Sequence, residues 1–283
     1  MNIVLRSLTE HDLASASEIV TTAFRSNESR MPELQFLFAL RPEVWLLALA
    51  QGTPVGTVVA TDYGPFAYVG DMTVRPELQR QGIGSALLKG MLESLDARGT
   101  PAILLDASEA GAPLYRRFGF VEADRACIFE QVRKSDARAE CTHVRLLGRE
   151  EADLLGEWDA PFFGASRARI FRQLLSDFPG RAWVAEDERG VWSGYLFAQT
   201  RGLGPWVARR PEDAHALLQA ALELPSQAPW RVTVPQMNTV APKLLERFGF
   251  RLVDASHRHM RRGGTGIVSR RETMYGQTSF GLG

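Results

Sequence analysis

The chain has 283 residues, which is more than the roughly 100 to 200 residues that one hydrophobic core usually organises, and this favours two domains. Hydrophobic residues make up 45% and charged residues 23%, which is typical of a soluble globular protein and excludes a mainly disordered one. The 33 basic residues balance 33 acidic ones, so no global field attracts nucleic acid or an anionic membrane. We therefore expect a small, local partner.

The cysteines and the first residues of the chain predict a cytoplasmic protein. Cys127 and Cys141 are too few for a disulfide framework, and their spacing has no metal-site partners such as a nearby pair of histidines. Arg6, Glu10 and Asp12 interrupt any apolar signal sequence. No apolar run approaches the ~20 residues that span a bilayer, so we expect no membrane segment.

The first third of the chain predicts two helices followed by three strands. Apolar spacing and capping residues favour helices over residues 10–24 and 32–40. Short β-type runs at 45–50 and 54–61, joined by a glycine-containing turn, predict a hairpin. A third strand over 66–74 ends at a proline.

A glycine-containing turn then precedes a helix with one buried stripe. Ile83, Leu87 and Met91 recur at helical spacing, and a short strand at 102–105 and a helix at 112–118 follow. Cys127 falls in a later strand, where an inert core residue is expected. The alternation of strands and helices predicts a mixed α/β fold.

The second half of the chain repeats the first. Residues 85–92 align without gaps on residues 215–222, and residues 114–120 meet residues 244–250 in the same register, 130 positions later. The polar segment 131–140 is a predicted linker, which places a first domain at 1–135 and a second at 141–283. The hairpin returns 138 positions later, with Trp45, Gly52 and Gly56 matching Trp183, Gly190 and Gly194.

The two offsets differ by eight residues, which the second copy lacks between its hairpin and its central helix. In the first copy that segment ends in a turn with Gly82 and Gly84, which are expected to allow positive φ and to clear β-carbons from a ligand. The unpaired N–H groups of the following helical turn form an anion site that suits a pyrophosphate. A P-loop is excluded because Ser85-Ala86 follows, and two glycines are too few for a dinucleotide fingerprint.

Three motifs resemble those of the GNAT acetyltransferases. Residues 79–84, Gln-Arg-Gln-Gly-Ile-Gly, are similar to the family's pyrophosphate loop, residues 71–74 to its splayed strand, and residues 114–120 to its tyrosine-bearing helix. The resemblance covers roughly residues 3–132. It implies two tandem GNAT-like domains, each a mostly antiparallel mixed sheet flanked by helices. The second is degenerate, because Glu212 and Ala214 replace the two loop glycines and a carboxylate repels pyrophosphate.

The resemblance also implies acetyl-CoA as cofactor and assigns residues to it. The backbone of Met72, Thr73 and Val74 would pair with the pantetheine amides as an added strand does. Ser108 would bond the cofactor's arm, and Tyr115 would protonate the leaving thiolate. The alternative for Tyr115 is a packing role, but its counterpart in the repeat is Leu245. The pyrophosphate loop comprises Gln79, Arg80, Gln81, Gly82, Ile83, Gly84 and Ser85.

A general base and an acceptor site are harder to place from the sequence. Asp71 is the first candidate base because it precedes the splayed strand's cofactor-binding residues, although an ordinary solvated aspartate is the alternative. Asp62 and Glu28 are weaker candidates. In the second half, Asp159, Arg167 and Tyr195 are expected to offer polar contacts to the acceptor, the alternative being a scaffold. The five histidines, including His257 and His259, are expected to be solvated or capping residues.

The main functional hypothesis is therefore acetyl transfer to a primary amine of a small molecule by direct attack in a ternary complex. The alternative is a non-catalytic acyl-CoA-binding sensor, since a cofactor loop by itself implies binding only. A third possibility is modification of a protein N-terminus or lysine.

Overall fold

The computed structural model describes residues 2–134, 143–226, 228–264, 266 and 269–283. The first half contains β1 (Ile3–Ser7), α1 (Leu13–Ala23), α2 (Met31–Ala39), β2 (Val44–Ala50), β3 (Thr53–Asp62), β4 (Ala67–Val74), α3 (Ile83–Ala97), β5 (Ala102–Ala107), α4 (Ala112–Arg117) and β6 (Val121–Gln131). The second half contains β7 (His143–Leu146), α5 (Ala152–Phe163), α6 (Ala168–Asp177), β8 (Ala182–Glu186), β9 (Trp192–Ala198), β10 (Leu203–Ala208), α7 (Pro211–Leu222), β11 (Arg231–Pro235), α8 (Ala241–Arg247), β12 (Phe250–Gly263) and β13 (Met274–Gly276).

The same order of elements occurs in both halves, which confirms the repeat and the mixed α/β fold. β1 to β6 with their four helices correspond to β7 to β12 with theirs, and β13 is an addition to the second half. Element ends differ slightly from the predictions. The residues before α1, Glu10–Asp12, form a 3₁₀ turn because the Asp12 carboxylate accepts a hydrogen bond from the Thr9 amide, at 2.9 Å.

The strands form two sheets. One has the order β1-β2-β3-β4-β5-β12-β6-β11 and the other β13-β10-β9-β8-β7. Neighbouring strands are antiparallel except β4 and β5, which are parallel. The hairpin between β2 and β3 turns at Gln51 and Gly52, with φ of 50° and 81°, as a two-residue turn requires.

The two halves exchange strands. β12 lies between β5 and β6, and β6 lies between β12 and β11, so the last repeat strand of each half pairs with a strand of the other half within the eight-stranded sheet. The halves are therefore distinct in sequence but continuous in hydrogen bonding. The predicted boundary stays a prediction, because Gln131 ends β6 and residues 135–142 lie outside the described part.

Side-chain alternation gives the first-half sheet two buried faces. Tyr68 and Leu104 belong to one cluster that also contains α1, α2 and much of the second half. Val69 and Leu105 point the other way and pack with α3 and α4. We call the face of Tyr68 the inner face and the face of Val69 the outer face. No helix in the described ranges is long and apolar enough to cross a membrane.

Candidate active site

The site begins where β4 and β5 separate. The two strands pair only from Ala67 to Val69 with Ile103 to Leu105. Beyond Val69, β4 continues to pair with β3 on its other edge, where Thr57 faces Thr73. The register shifts just before this pair, and Asp71 there has a φ of 44°, as in a β-bulge. The edge of β4 that faces the splay therefore carries the unpaired backbone groups that an extended ligand binds.

A cradle of amides lies at the outer end of this splay, where residues 75–82 join β4 to α3. Arg80 and Gly82 adopt φ of 60° and 88°, which turns successive N–H groups toward one side. The six amides from Arg80 to Ser85 have no acceptor in the described part of the chain. They stand at the N-terminus of α3, where the helix dipole favours an anion. These residues fit the pyrophosphate of a coenzyme A.

The two loop glycines have different roles. Gly82 needs positive φ, while a β-carbon there would meet no atom within 4 Å. Gly84 has an ordinary helical backbone, and its β-carbon would lie 3.5 Å from Leu114, in normal contact. The expectation of positive φ is thus correct for Gly82 and wrong for Gly84, and the expectation that both glycines clear β-carbons from a ligand stays a prediction. Alanine at this second position, as at Ala214, is compatible with the same fold.

Side chains around the loop hold its shape. The side-chain amide of Gln79 donates a hydrogen bond to the Val74 carbonyl oxygen at 3.2 Å, where β4 ends. Arg75 donates a hydrogen bond to the Pro54 carbonyl oxygen at 3.0 Å and forms an ion pair with Glu18. Its positive charge is therefore paired within the protein. Sequence reasoning missed Arg117, whose guanidinium lies 3.4 Å from Ser85 Oγ. It places a positive charge beside the cradle, and its only sequence signal is the tyrosine-bearing helix motif.

Tyr115 lies on α4 with only 7% of its surface exposed. Its ring packs edge-on against Phe120, with centroids 5.7 Å apart. Burial raises the pKa of the Tyr115 hydroxyl above its usual value, so the group keeps its proton at neutral pH. Ser108 starts the turn into α4, where its Oγ accepts a hydrogen bond from the Gly111 amide at 3.2 Å. The Ser108 hydroxyl proton is thereby turned away from Gly111.

On the inner face, Asp71 lies close to α2. Its Oδ2 atom is buried without a hydrogen-bond partner among the described residues. Burial, together with the charge of Glu33, raises the pKa of Asp71 to about 7, against a smaller opposing effect of Arg30. Arg30 forms an ion pair with Glu33. Asp71 is thus an uncompensated carboxyl group able to take up a proton near neutral pH.

The weaker candidate bases have structural tasks. The Asp62 carboxylate accepts a hydrogen bond from the Gly64 amide at 2.8 Å and so holds the β3–β4 turn. Glu28 is exposed and pairs with Arg201 of the second half at 3.0 Å. Both carboxyl groups have partners, unlike the Oδ2 atom of Asp71.

A second polar group on the inner face was not expected from the sequence. Asp106 of β5 receives hydrogen bonds from the Tyr68 hydroxyl at 2.6 Å and from the Gln277 amide at 2.8 Å. Its other oxygen lies 3.0 Å from Nδ1 of His259, which β12 brings from the second half. His259 is 4% exposed, so its expected role as a solvated or capping residue is wrong. The signal was hidden because these residues are far apart in sequence.

The structure contradicts the acceptor contacts expected from the second half. Asp159, Arg167 and Tyr195 lie together, but each has no exposed surface. Arg167 donates to both Asp159 oxygens at 2.7 and 2.9 Å and to the Tyr195 hydroxyl at 2.7 Å. Its guanidinium also lies 4.0 Å from the Phe163 ring centre. These charges are paired inside the core and have no surface to offer an acceptor.

The second half has closed its own version of the splay. β10 and β11, the counterparts of β4 and β5, meet at a single parallel bridge between Gly202 and Arg231. β13 pairs with β10, and the following Gln277 amide donates to Thr233 of β11 at 2.8 Å. The chain's own strand thus takes the position that a pantetheine would need. Only Arg209 and Arg210 separate β10 from α7, so no loop corresponds to residues 75–82.

Family comparisons agree with this geometry. The sequence model of the acetyltransferase (GNAT) family matches residues 12–120, and the model of an acetyltransferase (GNAT) domain matches residues 156–276. The chain belongs to the GNAT acetyltransferase family. It is a tandem GNAT protein and an acyltransferase, and the family generally uses acyl-CoA donors.

Two solved structures are similar to this chain over nearly its whole length. A putative acetyltransferase from Pyrococcus horikoshii is 26% identical, with a TM-score of 0.86, covering 99% of this chain and 96% of its own. A GCN5-related N-acetyltransferase from Sphaerobacter thermophilus is 16% identical, with a TM-score of 0.70, covering 94% and 98%. The second shows likeness of fold alone. No curated protein matches the chain.

Proposed function

We propose that this GNAT protein transfers an acetyl group from acetyl-CoA to a primary amine of a small molecule, by direct attack in a ternary complex. The observation that carries the proposal is the run of free amides from Arg80 to Ser85 beside the β4–β5 splay. In the second half, where the loop is short and β13 fills the splay, neither feature remains. One copy is therefore proposed to do the chemistry.

In this proposal the pyrophosphate is held by the loop from Gln79 to Ser85, with backbone N–H groups as donors. Arg117 adds charge from the side. The edge of β4 from Met72 to Val74 binds the pantetheine amides, and the Ser108 hydroxyl donates to the same arm. Bound acetyl-CoA supplies a thioester, whose carbonyl carbon accepts an amine and whose sulfur leaves as a thiolate.

Tyr115 is the proposed proton donor to that sulfur. Its raised pKa keeps the hydroxyl protonated until a thiolate forms nearby, and its packing on Phe120 fixes the ring. On the inner face, Asp71 is a proposed base for the amine, because its Oδ2 has no other partner in the described chain. Donor and base thus stand on opposite faces of the sheet, with the splay between them.

A small acceptor is proposed because the inner face is covered. Phe280 stacks on His257 at 4.2 Å between ring centres, and a β-carbon on Gly70 would collide with the backbone of Gly281. The segment 269–283 therefore packs directly over β4 beside Asp71. We also propose that residues 1–135 carry the cofactor, that residues 141–283 wall the acceptor pocket through β12 and this segment, and that the protein works in the cytoplasm.

The replacement Tyr115→Phe tests catalysis against simple binding. Free thiol released from acetyl-CoA is followed with a panel of amines, and CoA affinity is measured by titration calorimetry. We expect turnover to fall about 100-fold with unchanged CoA affinity, because phenylalanine keeps the packing and loses only the proton. Tyr275→Phe, in β13, is the matched control and should leave turnover unchanged.

A wild-type protein that binds CoA tightly but releases no thiol with any amine would support the sensor hypothesis instead. Thiol release with peptides but not with small amines would favour a protein acceptor.

A further inference from the structure

Strand exchange brings a histidine of the second half to the splay of the first. In the antiparallel pairing of β12 with β5, His259 stands directly opposite Asp106. Asp106 is the residue after Leu105, the last residue of β5 that pairs with β4. The Tyr68 hydroxyl, one residue before the end of the β4 pairing, also reaches this carboxylate. The three side chains therefore mark the point where the strands part, on the inner face.

We propose that His259 accepts a proton from the acceptor amine through Nε2, and that Asp106 and Tyr68 are positioning residues for it. This inference rests on the proposed function. It makes the second half a supplier of a catalytic group rather than only a wall.

The hydrogen bonds around Asp106 fix the tautomer of His259. Burial raises the pKa of Asp106, but the hydrogen bond and charge of His259, the charge of Arg271 and the hydrogen bond from Tyr68 together lower it to about 2. An ionised carboxylate only accepts hydrogen bonds, so the Nδ1 atom that lies 3.0 Å away carries the ring proton. In a neutral ring Nε2 then holds the free lone pair. Nε2 forms no hydrogen bond with a described residue, and 4% of the surface of His259 stays exposed.

The groups that face His259 keep its ring neutral. Burial and the charge of Arg271 lower the pKa of His259, against the opposing effects of Asp106 and Asp124. Arg271 is itself paired with Asp124 at 2.7 Å. A neutral imidazole backed by a carboxylate is the arrangement that accepts a proton and then stabilises the resulting imidazolium.

Asp71 and His259 are proposed to act together as proton acceptors. Asp71 lies on the β4 side of the splay and His259 on the β5 side, so a ligand on the inner face is flanked by both. An amine that arrives as an ammonium ion loses two protons before it becomes an amide. His259 and Asp71 can each take up one of these protons, while the sulfur receives its own proton from Tyr115.

Three side chains share the proton transfers of the reaction. The ammonium gives its first proton to Nε2 of His259, and the freed lone pair forms the N–C bond while the C–S bond breaks. The second amine proton passes to Asp71, and the sulfur receives a proton from Tyr115. All three side chains return to their starting states by exchange with solvent, so one proton is released for each amide formed.

The central experiment is the replacement His259→Asn, because the asparagine amide donates to Asp106 as Nδ1–H does but carries no base. We expect kcat/KM to fall about 100-fold. Log kcat/KM of the wild type should fall with a slope of about 2 toward acid pH, since two bases must be unprotonated, and with a slope of about 1 in this variant. His143→Asn, on the exposed strand β7, is the matched control.

Two further measurements separate a catalytic role from a structural one. His259→Ala should regain activity when free imidazole is added, which an unfolded site would not do. Nitrogen NMR of histidine-labelled wild type should show the Nδ1-protonated neutral tautomer of His259, and CoA affinity of His259→Asn should equal that of the wild type.

Three results would overturn the inference. The first is a His259→Asn variant with wild-type kcat/KM and an unchanged acid slope, while the wild type transfers acetyl groups normally. The second is a His259 ring protonated at Nε2 and not at Nδ1. The third is a wild type that acetylates no amine, in which case the proposed function fails as well, and this inference fails with it.

Discussion

The β4–β5 splay and its counterpart between β10 and β11 occupy equivalent positions in the repeat and differ in three ways. The first is followed by a loop with free amides, whereas β10 runs almost directly into α7. At the helix start, Gly82 corresponds to Glu212, whose side chain lies in the first turn of α7. The second splay also contains β13, which hydrogen-bonds to β10, while Gln277 reaches β11.

The second half therefore lacks several features that ligand binding needs, and the replacement of one loop residue is only one of these differences. Removing the loop abolishes the anion cradle, and the carboxylate of Glu212 opposes any anion that remains. β13 then satisfies the backbone groups that a pantetheine would have bonded. The filled splay stabilises the fold, and the continuation of the same segment supplies Gln277 to Asp106 in the working half.

We expect the largest effect when the buried ion pair of the second half is removed. Arg167→Met removes the partner of Asp159 and of Tyr195, which stay buried. We expect the free energy of unfolding to fall by about 3–5 kcal/mol, because an uncompensated buried charge remains. Chemical denaturation measures this.

Arg172→Ala is the control, since its pair with Asp153 is exposed on the surface and should contribute about 0.5 kcal/mol or less. If Arg167 contacted the acceptor, the Arg167→Met variant would instead raise the amine KM at temperatures where it is folded. That result would restore the interpretation that the sequence first suggested.

A second test exchanges the residues at the starts of α3 and α7. Gly82→Glu should weaken CoA binding about 100-fold or more, because it places a carboxylate against the pyrophosphate. Glu212→Gly should create no second site, since β13 still fills the splay and the loop is still short. Titration calorimetry should give one CoA per chain in the wild type, and two would contradict the closed second splay.

The smallest effect comes from the two glycines within the working loop. Gly82→Ala should weaken CoA binding about tenfold, because an L-residue in the left-handed region costs roughly 1–2 kcal/mol. Gly84→Ala should change the affinity by about twofold or less, because its β-carbon meets only ordinary contacts. Equal losses at both positions would show that the cradle depends on space rather than on φ.

Much of the working site was predictable because its chemistry is local. The loop from Gln79 to Ser85 is contiguous, and positive φ at Gly82 and free amides at a helix start are encoded in a few neighbouring residues. The tyrosine-bearing helix follows the same logic. The repeat within the chain places Leu245 at the position of Tyr115, so the hydroxyl is present only in the half with the glycine loop.

Other parts of the site were out of reach of the sequence. Asp159 and Arg167 are polar residues near glycines and aromatics, and nothing in their pattern shows that both are fully buried. His259 appeared as one of several scattered histidines, and its partner Asp106 belongs to the other half. Burial and pairing of such residues depend on which strands become neighbours.

Local sequence patterns were enough to predict the family, the tandem repeat, the half that keeps the pyrophosphate loop and the residue types at that loop. They were enough because backbone conformation and helix capping depend on a few neighbouring residues. The exchange of β6 and β12, the filling of the second splay by β13 and the pairing of Asp106 with His259 became visible only in the folded chain. These features depend on hydrogen bonds and burial between segments distant in sequence, for which no local preference of the chain specifies the partner.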